Sequence, residues 1–135
     1  MSMPLHKYLT PKFSVESNKG LLKENSFNDL ADYNPKTTMY LDGRGHNGDY
    51  VKITFDEPFE CHAIDITTGS DFINFYGITE GYAEYSSDGE HYTGKVDFDC
   101  QRAVLLPKEQ VKSIRIVLTG DSDSYKVGIQ DLKIF

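Results

Sequence analysis

The chain has 135 residues, 39% of them hydrophobic, and a net charge of −7 at pH 7, which suits one domain whose core needs neither disulfide nor metal to hold it. Its three arginines, Arg44, Arg102 and Arg115, and its scattered lysines form no basic stripe, which excludes a phosphate-backbone reader and argues against docking on anionic membranes. No apolar run approaches the roughly 20 residues of a spanning helix, so neither nucleic acid nor membrane insertion is expected.

The aromatic residues are nine Tyr and eight Phe with no Trp, a set that favours pleated strands. Met1-Ser2-Met3-Pro4-Leu5-His6 contains no apolar core of a signal peptide. Pro4 and Pro11 break the start, Phe13–Glu16 suits a short strand, and Leu21–Ala31 is the stretch that could support a helical turn. We read residues 1–25 as a lead-in with the first strand and 26–135 as the body of a single domain.

From residue 50 the period is two. In Tyr50-Val51-Lys52-Ile53-Thr54-Phe55 the apolar Val51, Ile53 and Phe55 share one face, and Pro58 is expected to end that strand. Cys61-His62-Ala63-Ile64-Asp65-Ile66 alternates again, with His62, Ile64 and Ile66 together, so His62 reads as a hydrogen-bonded core histidine. Glu84-Tyr85-Ser86-Ser87-Asp88-Gly89-Glu90-His91-Tyr92 sets Asp-Gly between two Tyr-bearing runs, a tight-hairpin signature. Val111–Leu118 is a further strand with Ile114, Ile116 and Leu118 inward, and Val127–Phe135 closes the chain. In that last run the alternation slips by one at Gln130-Asp131, as a bulge would make it. Seven or eight short strands of this kind make an all-β sandwich or jelly roll. Cys61 and Cys100 are open to two readings, a disulfide in an exported protein or two buried free thiols. Neither belongs to a zinc-spaced cluster.

Four segments, in this order, resemble the discoidin-like family, also called the coagulation factor 5/8 type C fold. They are Asp32-Tyr33-Asn34-Pro35-Lys36-Thr37, Gly48-Asp49-Tyr50-Val51-Lys52-Ile53-Thr54-Phe55, the Glu84–Tyr92 hairpin, and Ser113-Ile114-Arg115-Ile116 followed by Ile129–Phe135. The resemblance is closest to the bacterial family 32 carbohydrate-binding modules that accompany glycoside hydrolases of the hexosaminidase and chitobiase kind. It implies a galactose-binding-domain-like jelly-roll sandwich of about eight strands, and a shallow sugar site in the loops for galactose or N-acetylhexosamine glycans. It also implies a monomeric accessory module of an extracellular, cell-surface or periplasmic protein, here expected as a piece cut from a longer parent. Departures from the family pattern are Tyr33 in place of the loop Gly, the aromatic displaced to Tyr40, Asp131 in place of Glu, and the missing Trp.

Calcium takes six to eight hard oxygen ligands, and Asp32, Asn34 and Thr37 lie close enough on one loop to wrap such a cation. The resemblance makes this loop a structural Ca²⁺ site, with Asp131 contributing from the last strand. An Asx-turn that bonds only local N–H groups is the plainer reading of the same residues.

Sugar recognition needs an aromatic face for the ring C–H groups and planar polar groups for the hydroxyls. Three loops offer them. Asp42–Gly48 sets Arg44, His46 and Asn47 among three glycines, Ser70–Gly77 carries Phe72, Phe75 and Tyr76, and Asp121–Tyr125 ends on an aromatic. Arg44, His46, Asn47, Tyr76 and Tyr125 are therefore the candidate ligand residues, and Tyr125 occupies the position where the family often carries a binding aromatic. The plainer alternatives are core packing for Phe72 and Phe75 and a solvated turn for Arg44, His46 and Asp121-Ser122-Asp123. The scattered carboxylates form no motif that would fix the facing pair of a glycosidase, and no nucleophile, zinc or phosphate-loop signature is present. The sequence is thus read as a binding module without catalysis; a structural or protein-interaction domain of the same fold is the alternative.

Overall fold

The computed structural model describes residues 12–18, 39–41, 44–69, 77–121 and 127–135, with the backbone alone at 39–40 and 130–131. Nine strands are found among them: β1 Phe13–Ser17, β2 Met39–Tyr40, β3 Tyr50–Phe59, β4 Ile64–Thr68, β5 Gly81–Ser86, β6 Thr93–Asp97, β7 Arg102–Leu105, β8 Val111–Leu118 and β9 Gly128–Ile134. They form a five-stranded sheet in the order β1-β3-β8-β5-β6 and a four-stranded sheet in the order β2-β9-β4-β7. Every pairing is antiparallel. None of the described residues forms a helix long and apolar enough to cross a membrane.

Period-two alternation decides which residues meet between the sheets. Val51, Ile53 and Phe55 of β3 and Ile114 and Ile116 of β8 are fully buried, facing Ile64 and Ile66 of β4, Leu105 of β7 and Ile129 of β9. Phe55 also meets the rings of Phe13 and Phe59 edge-on, at centroid distances of 5.9 and 4.8 Å. The expected slip in the last strand is present: Thr67 pairs with Asp131 and Thr68 with Ile129, so Gln130 is the extra, bulged residue.

Three expectations are corrected. The chain does not leave β3 at Pro58; the strand passes a register shift between Thr54 and Phe59 and rejoins β8 at Phe59↔Val111. Asp56, Glu57 and Pro58 are exposed there, off the ladder that proline would have broken. His62 is exposed rather than in the core, because β4 begins only at Ile64 and the His62 N–H turns to the Phe135 carbonyl at 2.7 Å. The β5–β6 hairpin closes through a longer connection, 87–92, than a two-residue turn. Of the two readings left open for the cysteines, free thiols are what is found, with Cys61 half-buried and Cys100 exposed rather than both buried. They stand at opposite ends of the β4–β7 ladder, which runs from Ile64↔Leu105 to Thr67↔Arg102, beyond the reach of a disulfide.

The register places the connections in two groups. Ser17, Tyr40, Tyr50, Thr68, Gly81, Asp97, Arg102, Leu118 and Gly128 all lie at one end of the sandwich. The connections 41–49, 69–80, 98–101 and 119–127 therefore open from that end, called here the loop end. Connections 60–63, 87–92 and 106–110 lie at the other, the hairpin end.

Candidate functional site

Arg44, His46 and Asn47 stand exposed at the loop end. Their position follows from a turn over His46–Asp49, in which the Asp49 N–H donates to the His46 carbonyl at 3.0 Å. Gly48 holds φ of +96° while Asn47 does not enter positive φ, which is the type II pattern with glycine in the required place. The turn is joined to the strand behind it: the Gly48 N–H donates to the Leu118 carbonyl at 2.8 Å, and the Leu118 N–H to the Asp49 carbonyl at 2.8 Å.

Two carboxylates complete the anchoring. Asp49 is 6% exposed and accepts the His46 N–H at 2.7 Å and the Asn18 side-chain amide at 2.8 Å. Asn18 in turn accepts the Tyr50 N–H at 2.9 Å. Asp121, at the mouth of the 119–127 connection, accepts the Asn47 N–H at 3.0 Å. Thus the backbone of the 44–49 segment is held at several points. The side chains of Arg44, His46 and Asn47, by contrast, make no hydrogen bond or ion pair among the described residues. A fixed backbone that displays unengaged donors and acceptors is what a polyhydroxylated ligand requires.

Tyr76 and Tyr125 lie outside the described residues, as do Phe72 and Phe75. The residues bounding their segments are anchored at the loop end: the Gly69 N–H donates to the Gly128 carbonyl at 2.8 Å, the Ile78 N–H to the Thr68 hydroxyl at 2.9 Å, and the Thr119 N–H to the Glu80 carbonyl at 3.0 Å. So the three loops singled out by sequence leave and re-enter the sandwich at one end. Of the calcium set, Asp32, Asn34 and Thr37 lie outside the described residues, and for Asp131 the backbone pairing with Thr67 is what is described. No group of three His, Cys, Asp or Glu among the described residues is arranged to hold a metal ion.

Sequence reasoning missed the anchoring acids. Asp49 appeared only as part of a strand-entry motif and Asp121 as a solvated turn. The pairing of Asp49 with Asn18 spans 31 positions, and that of Asp121 with Asn47 spans 74. The signal that could have found Asp49 is its place directly after a glycine at a loop-to-strand junction, where a carboxylate can collect backbone N–H groups.

No protein-family model matches the chain, and no curated protein matches it. Solved structures do. A family 32 carbohydrate-binding module of a family 31 glycoside hydrolase from Clostridium perfringens superposes with a TM-score of 0.69 at 11% identity, covering 91% of this chain and 93% of that one. A second family 32 module of a family 31 glycoside hydrolase, solved bound to GalNAc, gives 0.69 at 16% identity over 94% and 99%. The family 32 module of C. perfringens NanJ, solved with galactose, gives 0.66 at 11% identity over 90% and 92%. At these identities the likeness is one of fold, and it extends over nearly the whole of both chains. The protein shares the β-sandwich fold of these family 32 carbohydrate-binding modules, with Arg44, His46 and Asn47 exposed at one end of it.

Proposed function

We propose that the protein is a non-catalytic carbohydrate-binding module that takes a galactose- or N-acetylhexosamine-type sugar in a shallow site at the loop end. The observation that carries this reading is the pairing of an anchored backbone with side chains at Arg44, His46 and Asn47 that are unengaged among the described residues. Tyr76 and Tyr125 belong to the proposal as the aromatic platforms. The fold shared with modules solved with galactose and GalNAc supports the ligand class. The module works as a monomer attached to an exported glycoside hydrolase, outside the cell or in the periplasm, and raises the local concentration of glycan around its parent. Affinity at one shallow site is weak, and tethering multiplies it. Isothermal titration with galactose, N-acetylglucosamine and N-acetylgalactosamine tests this directly. Binding of at least one at millimolar concentration, reduced at least tenfold in Arg44→Ala or His46→Ala, is the expected result; no heat with any of them removes the sugar site.

Calcium enters the proposal through Asp32, Asn34 and Thr37, with Asp131 as the strand residue. A cation that binds only the folded chain raises its melting temperature, so the midpoint is expected to be higher in Ca²⁺ than in chelator. An unchanged midpoint removes calcium from the account.

A second reading, a protein-interaction domain of the same fold, is favoured by Leu106 and Phe135, large apolar side chains that are 67% and 48% exposed. Both lie at the hairpin end. That reading is preferred if no sugar binds and Leu106→Ser with Phe135→Ser abolishes self-association or partner capture.

A further inference from the structure

A polar cleft of about 430 Å³ lies on the outer face of the five-stranded sheet, lined by Glu16, Tyr50, Lys52, Tyr82, Arg115 and Val117, with Gly48 at its edge. Its plan follows from the register. Tyr50, Val117 and Tyr82 are direct partners across β3, β8 and β5, and form one row. Glu16, Lys52, Arg115 and Glu84 form the next row across β1, β3, β8 and β5. Two strand spacings separate Tyr50 from Tyr82, roughly 10 Å, which is about the length of a disaccharide. The small Val117 forms the floor between the two rings.

The groups around the cleft are fixed in different ways. Arg115 donates from Nε to Glu84 Oε2 at 2.8 Å, pairs through its terminal nitrogen with the same oxygen at 2.6 Å, and stacks 4.0 Å from the Tyr92 ring centroid. The Lys95 ammonium sits 4.2 Å from the centroid of Tyr82. Lys95 itself does not line the cleft. Glu16 and Lys52 are cross-strand partners of opposite charge, yet neither makes an ion pair or hydrogen bond among the described residues. The cleft thus offers a donor and an acceptor, without partners among the described residues, beside two aromatic side chains.

Charge selects among occupants. The face carries Lys52, Lys95 and Arg115 against Glu16, Glu84 and Asp97, which balance. An anionic polymer therefore gains no net attraction there, and the molecule around it is acidic. An apolar peptide side chain finds one small aliphatic residue, Val117. A chain of neutral sugar rings fits both rows, with ring C–H faces on the tyrosines and hydroxyls toward Lys52, Glu16 and Arg115.

We propose that this cleft is a second carbohydrate site, which takes a neutral oligosaccharide of two or more hexose units along the Tyr50–Tyr82 row. It stands on sheet side chains, not on the loop residues, and does not depend on the loop site being functional. The test is an ¹H–¹⁵N NMR titration with β-1,4-linked gluco-, galacto-, manno- and N-acetylgluco-oligosaccharides of one to six units. At least one series is expected to move the amides of Tyr50, Lys52, Tyr82 and Arg115, with affinity rising as the chain lengthens from one unit to two or more. Tyr50→Ala and Lys52→Ala, both at half-buried outward positions, are expected to weaken that binding more than tenfold with an unchanged melting temperature, while Arg44→Ala leaves it intact. If no oligomer moves these amides, or if both sheet variants bind as the parent does, the proposal is overturned. Monosaccharide shifts confined to Arg44, His46 and Asn47 report the loop site separately, so either site can fail alone.

Discussion

The 87–92 connection at the hairpin end and the 44–49 segment at the loop end solve the same problem, satisfying the polar groups of a chain reversal, by different means. At the hairpin end the 87–92 connection is closed locally. Ser86, fully buried, accepts the Gly89 N–H at 2.8 Å, and Asp88 accepts the N–H groups of Glu90 and His91 at 2.8 Å each and meets the His91 imidazole at 2.7 Å. Side chains there cap the backbone beside them, so their polar atoms are occupied. At the loop end the anchors come from distant parts of the chain, Asn18, Leu118 and Asp121. With the backbone held by others, the side chains of Arg44, His46 and Asn47 make no hydrogen bond or ion pair among the described residues. At the 87–92 turn the polar side chains are spent on the local backbone, whereas on the 44–49 segment, held from elsewhere, they form the sugar site proposed above.

The comparison can be broken most forcefully at Asp49. Its carboxylate is buried and takes at least two hydrogen bonds, from the His46 N–H and the Asn18 amide, and bonds to charged groups contribute about 1.5–3 kcal/mol each. Asp49→Ala is therefore expected to lower unfolding free energy by roughly 3 kcal/mol in a urea titration, and to release the 44–49 segment with loss of sugar binding. A fully stable Asp49→Ala variant would mean that the segment is held by other contacts.

A matched pair of glycines sharpens the comparison at smaller scale. Gly48 and Gly89 hold φ of +96° and +87°, and an added Cβ meets nothing within 4 Å at the first and only Lys112 Cγ at 3.7 Å at the second. Each Gly→Ala change should thus show the backbone cost alone, roughly 1 kcal/mol, measured as a fall in denaturation midpoint. Equal destabilisation is expected, with sugar affinity reduced only by Gly48→Ala. Equal loss of affinity in both would erase the distinction between the ends.

The smallest expected effect is a pH dependence confined to the hairpin end. The His91 backbone N–H, then the His91 imidazole, the Glu90 N–H and the Ser86 hydroxyl, hold the Asp88 carboxyl below the usual range. Hydrogen bonding to Asp88, and then its charge, raise the His91 imidazole. The Asp88 contribution is present above its ordinary value of 3.8 and is lost as pH falls through the depressed folded value. The His91 contribution is present below 6.5 and is lost as pH rises through the raised folded value. The hairpin is therefore firmest between those two ordinary values. Both groups are solvent-exposed, so the effect is modest and weakens with salt. NMR titration of the His91 ring in the parent protein and in Asp88→Asn checks it: the His91 pKa should fall in the variant.

How much was legible from sequence follows the range of the interactions. Val51, Ile53 and Phe55 announced β3 by alternation and are fully buried, and the slip at Gln130-Asp131 announced its bulge, because both are periodic signals within one strand. His62 misled for the same reason. Its alternation with Ile64 and Ile66 continues past the point where the chain leaves the ladder to reach the Phe135 carbonyl, a contact 73 positions away by numbering (135 − 62). The candidate loop residues could be named from their chemistry, but what makes Arg44, His46 and Asn47 available, their anchoring to Asp49 and Asp121, is non-local. The Tyr50–Val117–Tyr82 row required the strand order β3-β8-β5, which no periodicity contains.

The central claim is that sugar binds at the loop end and not at the hairpin end. An ¹H–¹⁵N titration with galactose and N-acetylgalactosamine up to tens of millimolar, on the order of the weak affinity a shallow site implies, tests it most directly. The expected result is saturable movement of the amides of Arg44, His46, Asn47 and Asp121, with those of Asp88, Glu90 and His91 unmoved. Movement centred on Asp88–His91, or none at the loop end with either sugar, would contradict it.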